Sequence, residues 1–243
     1  MTRIIEKTVL RTNYLPLSIT SNRPNLTYAT HCVVKSIDEL SNYKCFILFP
    51  YNHRKQPRIL IFRENRMAVL ELSRYLDSLL PPWRQKTGVV RHYHSGMSTE
   101  YLERAHAAFT LPNGSCRILV TTSAESTGID HPDVDIVCVA GLQSTLAMLI
   151  QEFGRAARAP DSKGLAVLFH DPWVQDIKMD DFPSHSEDLD RPQTNMTATS
   201  SAKIRAGRAS VALVNDKSCI REQFAKYLGD HCQNSKLPYL FLL

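Results

Sequence analysis

The residues best suited to chemistry in this chain fall in three short stretches. The first is QEFGRAARAP, residues 151–160. Arg155 and Arg158 are three apart, so on a helix they share a face, about 5–6 Å from one another. Gly154, Ala156 and Ala157 keep bulk away from them, so another surface can come close. Guanidinium groups meet phosphate with fixed, bidentate geometry. A solvated helix end is the plainer reading of the same pair. The second stretch is TTSAESTGIDHPDVD, 121–135, rich in hydroxyls at Thr121, Thr122, Ser123, Ser126 and Thr127. Hydroxyls and loop amides bind phosphate without reading bases. Gly128 allows close approach of the backbone, and Asp130 adds a carboxylate just beyond it. Ordinary turn chemistry is the competing reading. The third is HSGMS, 94–98, where a glycine precedes a serine able to cap a helix. A helix N-terminus attracts anions.

These stretches need a scaffold, and the rest of the pattern supplies one. TYATHCVVK (27–35) alternates as a strand does, and a short helix is predicted around 36–42. RILIF (58–62) is a continuous apolar run, suited to a strand buried on both faces of a parallel sheet. Asn65 can cap a helix carrying Val69, Leu72, Leu76 and Leu79, which Pro81-Pro82 ends. VVRHYH (89–94), RILVTT (117–122), DIVCVAG (135–141) and LAVLFH (165–170) are further strands. Between them lie a helix capped by Ser98, with Leu102, Ala105 and Phe109 on one stripe, and a helix over about 144–154. Such alternation predicts a parallel α/β sheet flanked by helices. Ligands of such sheets sit at the carboxyl ends of the strands, so the loops after Phe62, His94, Thr121 and Gly141 carry the interest. From 178 to 210 the pattern fails, first acidic and then basic, and reads as a mobile linker. CIREQFAKYLG (219–229) reads as a short amphipathic helix.

Charge and cysteines narrow the classes. A net charge of +5 permits a polyanionic partner without requiring one. Six scattered cysteines without a secretory leader read as reduced thiols of an intracellular protein. No stretch approaches the ~20 apolar residues of a membrane span. No Cys/His group has zinc spacing. There is no GxxxxGK[ST], and no Asp-Glu pair closes an apolar strand to hold magnesium. An unrelated small-molecule α/β enzyme is disfavoured because no catalytic dyad or cofactor fingerprint is present.

In order and spacing, SNRPNL (21–26), RILIF (58–62), RHYHSGMS (91–98), ILVTTSAESTGIDHPDV (118–134) and QEFGRAARAP (151–160) resemble the second RecA-like lobe of the RecQ family of DNA helicases in superfamily 2. The resemblance covers about residues 20–172. CIREQFAKYLGD is similar to the start of that family's zinc-binding module, with Cys219 as its first cysteine, and the module looks truncated after Cys232. Zinc is therefore not expected. The family commonly has glycine where Ser126 and Ala157 stand, and a glycine-bearing turn where Pro160 stands.

The resemblance implies an α/β fold: a RecA-like parallel sheet flanked by helices, a mobile linker and a short C-terminal helical segment. The implied divisions are an N-terminal extension or inter-lobe linker (1–25), the helicase C-terminal lobe (26–175), a flexible linker (176–215) and a truncated zinc-module-like segment (216–243). It implies that Arg158, with Arg155, acts as the arginine that reaches ATP across a cleft. Gln151, Gly128 and Asp130 face the nucleotide. Ser95, Gly96, Thr122 and, more weakly, Arg63 touch the phosphates of DNA. Implied partners are single-stranded or partly duplex DNA and a first RecA-like lobe, in cis or in trans, with no membrane. ATP and Mg2+ enter only with that first lobe, which carries the P-loop lysine and the acidic pair. The expected activity is 3'-5' DNA unwinding within repair and recombination, inside the cell and in the nucleus of a eukaryote, with no ATP hydrolysis by this chain alone. The alternative is a non-catalytic nucleic-acid or protein-binding module derived from such a lobe.

Overall fold

A computed structural model describes residues 21–122, 134–159, 161–184, 187–197 and 200–230. Six strands form one sheet: β1 (Leu26–Cys32), β2 (Ile59–Arg63), β3 (Val90–Tyr93), β4 (Ile118–Thr122), β5 (Ile136–Ala140) and β6 (Gly164–His170). Their spatial order is β1-β6-β5-β2-β4-β3, with every neighbouring pair parallel. The helices are α1 (Arg66–Ser78), α2 (Thr99–Thr110), α3 (Leu146–Phe153), α4 (Ala202–Arg205), α5 (Arg208–Asn215) and α6 (Ile220–Leu228).

The central strands are apolar, save for the polar carboxyl ends of β2, β4 and β6, because both faces are covered, and their alternate residues part into two cores. Leu60, Phe62, Leu119, Val137, Val139 and Leu168 face one side. There they meet Phe109 of α2, Leu149 and Phe153 of α3, and Phe224 of α6. Ile59, Ile61, Ile118, Val120, Cys138 and Val167 face the other, under Val69, Leu72 and Leu76 of α1 together with Tyr43 and Phe46. A one-residue slip in register would exchange the two sets, so register and helix placement fix each other. Helix starts follow their caps: Asn65 accepts from the Ala68 amide, Ser98 from Tyr101 and Thr145 from Met148.

β2 lies between β4 and β5. The chain leaves β2 toward β3 and β4 on one side, then crosses back to β5 and β6 on the other. That reversal leaves a crevice outside the carboxyl ends of β2 and β5, the place where open α/β sheets bind ligands.

Two local readings shift. The helix expected over 36–42 is a 3-10 turn at Leu40–Phe46. The Asn42 amide donates to the carbonyls of Val34, Ser36 and Glu39 and its oxygen accepts from the Val34 amide, which holds 34–39 as a loop. The stretch over 178–210 is polar, yet its described residues are tied to the lobe. Phe182 and Ala206 are buried with Ile177 and Val211. Asp190 accepts from the Leu146 amide at 2.9 Å, and Arg205 pairs with Glu64 at 2.9 Å. A few apolar anchors and side-chain bonds suffice there, and neither produces a periodic signal. Among the described residues, no helix is long and apolar enough to cross a membrane.

Candidate functional site

The turn that ends α3 is built from outside. Gly154 closes the helix, and the chain reverses through Ala157, whose φ is +47°. Glycine adopts that region freely, whereas the Cβ of alanine makes it strained. Two donors from the SNRPN stretch hold the turn. Arg23 gives one guanidinium nitrogen to the carbonyls of Ala156 (3.0 Å) and Ala157 (2.7 Å) and another to Gly154 (3.4 Å). Asn25 donates to the carbonyls of Ala157 (2.8 Å) and Ser162 (3.1 Å). The last carbonyls of the helix, those of Ile150, Glu152 and Phe153, accept from the amides of Gly154, Arg155 and Ala156, so the two side chains serve the carbonyls of the turn beyond it. The Ala157 amide also donates to Val134, beside β5.

Within this frame the two arginines diverge. Arg155 is buried, 6% exposed, whereas Arg158 is exposed and bonds its Nε to the Gly154 carbonyl at 3.1 Å. The common face that their spacing suggests is lost, because α3 stops at Phe153, before either of them.

Thr122 and Gln151 come together in the crevice at the strand ends, a volume of about 510 Å³ that Glu64, Gly141 and Glu152 also line. Gly141, at φ +105°, turns the chain out of β5. The exposed Arg205–Glu64 pair belongs to the same wall. Ser95 and Gly96 lie after β3, where Ser95 Oγ accepts from Arg66 at 2.6 Å and the Gly96 amide donates to His94 Nδ1 at 3.2 Å. A methyl group at Gly96 would sit 3.1 Å from the His94 ring and 3.3 Å from Arg66, so glycine here keeps both side chains close against the loop backbone. Beneath it, His92 stacks on His94 and on Tyr101 at centroid distances of 5.8 and 5.2 Å. Burial holds the His92 imidazole below its ordinary range, helped by His94, Arg74 and Arg91.

Arg63 stands apart from its expected part in a DNA surface. It is 3% exposed, and its guanidinium donates inward to the Ile37 carbonyl and the Tyr43 hydroxyl, each at 2.7 Å, and to Asp38 at 2.5 Å. Its bonds fasten the 37–43 loop onto the end of β2, so it acts as a structural anchor. Gly128 and Asp130 lie outside the described residues, as do His231 and Cys232. Cys219 precedes α6 without capping it through its side chain. Among the described residues, no group of three or more His, Cys, Asp or Glu could hold a metal ion.

Three participants escaped the sequence reading. Arg23 and Asn25 stood inside a quoted motif without a role, and the only local hint was their pairing around Pro24. Arg66 had a physical signal. A cation in the first turn of a helix opposes the helix dipole, so its position asks for a compensating function.

Comparison with known proteins fits this arrangement. The helicase conserved C-terminal domain model matches residues 37–160. The chain is 28% identical over 216 residues to the ATP-dependent DNA helicase RecQ of Haemophilus influenzae, covering 87% of this chain and 30% of that protein. It is 27% identical over 221 residues to the RecQ of Pasteurella multocida, again covering 30% of the relative. The chain thus spans less than a third of the length of these curated relatives. Among solved structures, the yeast DEAD-box splicing factor Prp28 superposes with a TM-score of 0.52 at 20% identity, over 74% of this chain and 37% of that one. Dbp5 of S. cerevisiae, bound to RNA and ADP BeF3, superposes with a TM-score of 0.51 at 21% identity, over 69% and 41%. These two show the shared fold.

Proposed function

The chain belongs to the helicase conserved C-terminal domain family, as a RecQ-like RecA-type lobe of superfamily 2, and on that premise we propose that it is the second half of an ATP-driven 3'-5' DNA motor. In this reading the nucleotide and its Mg2+ are carried by a first lobe, in cis or in trans. This chain offers Arg158 to the phosphates across the cleft, with Gln151 beside the crevice. Asp130 and Gly128, outside the described residues, are assigned to the nucleotide by the family resemblance alone. Ser95, Gly96 and Thr122 hold DNA phosphates, and Arg66 joins them. Arg155, buried, positions the turn, and Arg63 positions the neighbouring loop.

The observation that carries the reading is the turn after α3. Arg23 and Asn25 fix its carbonyls while Arg158 remains exposed. A cation that stabilises charge developing on a transferring phosphoryl group needs a set position before the reaction, and the clamp fixes the backbone from which Arg158 projects. An arginine in that role is worth about 10³–10⁵ in rate, but it acts only on a triphosphate that another surface holds. ATP fits this chain as a partner's cargo, because an exposed guanidinium can reach a phosphate that another surface holds.

The test is a steady-state ATPase assay with single-stranded DNA. The chain alone should show no turnover. Addition of a RecQ first lobe in trans should restore it, and Arg158→Ala should lower the restored rate by about 10³ or more. Turnover by the chain alone that Arg158→Ala abolishes, or restored turnover indifferent to that substitution, would contradict the proposal.

A further inference from the structure

We propose that the β3 edge of the sheet is a second nucleic-acid track, continuing the DNA path from the Ser95–Gly96 loop along the side of the lobe. The inference rests on the nucleic-acid reading above and adds a surface that reading does not use. Among the described residues, β3 is the last strand of the sheet, with β4 as its one sheet neighbour. Between it and the C-terminal half of α1 runs a groove of about 590 Å³, open to solvent, whose wall includes Arg74, Lys86, Arg91, His92 and Tyr101. Arg74 and Lys86 are exposed, and among the described residues neither they nor Arg91 is in an ion pair. The acid in the wall, Asp77, spends its carboxylate on the Lys86 amide at 2.9 and 3.2 Å. Three cations against one occupied carboxylate leave the groove positive.

The groove is joined to the phosphate loop by rings. Tyr101 stacks on His92, His92 on His94, and His94 accepts from the Gly96 amide. The Tyr101 hydroxyl donates to the His92 carbonyl at 3.1 Å, locking the first pair. The Arg91 guanidinium lies over Gly88, where an added methyl would be 2.6 Å from it, so it occupies the space a side chain there would take. A basic groove beside stacked, partly exposed rings is the surface that binds single-stranded nucleic acid without reading sequence, through phosphate contacts and base stacking. An acidic peptide would use the cations but not the rings, so we commit to a single strand of DNA.

Length-resolved binding tests this. Fluorescence anisotropy would compare labelled single strands of about 6 and about 20 nucleotides. The doubly substituted Arg74→Gln, Lys86→Gln chain changes two exposed side chains and should keep the parent unfolding midpoint. On the proposal, the parent binds the long strand more tightly. The substitutions weaken that binding about tenfold and reduce the slope of log affinity against log salt by about 1.4, the share of two phosphates on a single strand. The short strand is unaffected. A length-independent affinity, or a long-strand complex indifferent to both substitutions, overturns the track and leaves the Ser95–Gly96 contact standing. Loss of short-strand binding in the parent, with long-strand binding still sensitive to Arg74 and Lys86, overturns that contact and keeps the track. Binding of neither strand overturns both.

Discussion

The turn after α3 and the loop after β3 carry the groups proposed to meet phosphate, and they are held in opposite ways. At the turn, side chains from another part of the chain saturate the carbonyls of Gly154, Ala156 and Ala157, and a residue sits in left-handed backbone. At the loop, one exposed bond from Arg66 steadies Ser95, and glycine keeps the His94 and Arg66 side chains close against the backbone. The difference suits the two tasks proposed for them. A cation that must meet a single phosphoryl group needs a fixed position. A loop that meets successive phosphates of a moving strand does better with adjustable contacts.

The sharpest way to break that contrast is Arg23→Ala. Three carbonyls lose a charged donor, and the expected loss of stability is about 2–4 kcal/mol, measured by urea unfolding. An unchanged midpoint would mean that the clamp does not hold the turn. At the loop, Arg66→Ala should leave stability within about 0.5 kcal/mol. It should weaken single-stranded DNA binding several-fold and lower the salt slope by about 0.7, the share of one phosphate. Unaltered DNA affinity would remove Arg66 from that surface.

Ala157→Gly refines the comparison within the turn itself. Relief of left-handed strain, about 1–2 kcal/mol, opposes a lost buried methyl of about 0.8 kcal/mol and the greater freedom of unfolded glycine. The net change should lie within about 0.5 kcal/mol. The same substitution at the fully buried Ala156, where φ is not positive, should cost about 1.5 kcal/mol. Equal costs at the two positions would argue against strain at Ala157.

The smallest effect is that of pH. Burial depresses the imidazole pKa of His53, His92 and His170 below the ordinary 6.5. A depressed histidine pKa means that the unfolded chain binds more protons, so stability is fully present above pH 6.5 and declines as pH falls below it. Urea midpoints between pH 7 and 5 should show a shallow decline, made shallower by His92→Gln. A rise toward acid pH would contradict the burial of these rings.

Much of this was legible in the sequence, because the strands and helices carry their own signals. RILIF and DIVCVAG are apolar in successive positions because both faces of those strands are covered. Asn65 and Ser98 announce α1 and α2. The site was less legible because its decisive contacts join residues far apart in the chain. Nothing near Arg63 says that Tyr43 and Asp38 will draw its guanidinium inward, and a charged residue at a strand end ordinarily faces solvent. Arg155 and Arg158 look alike at their spacing, yet the end of α3 at Phe153 sends one inside and leaves the other out. Ala157 could be noticed as a departure from the usual glycine, but its left-handed backbone becomes evident only once Val134, Arg23 and Asn25 are seen to bond around it.

Helix α6 adds a link behind the clamp. Its Arg221 donates to the Arg23 carbonyl at 2.7 Å and the Asn22 side chain at 2.9 Å, reaches the Leu26 carbonyl, and lies over the Tyr28 ring. Two arginines therefore stand in series, with α6 gripping the backbone of Arg23 and Arg23 gripping the turn that presents Arg158. Residues nearly two hundred positions apart in the chain thus share one support, so the α6 helix belongs to the scaffold of the turn rather than to a separate appendage.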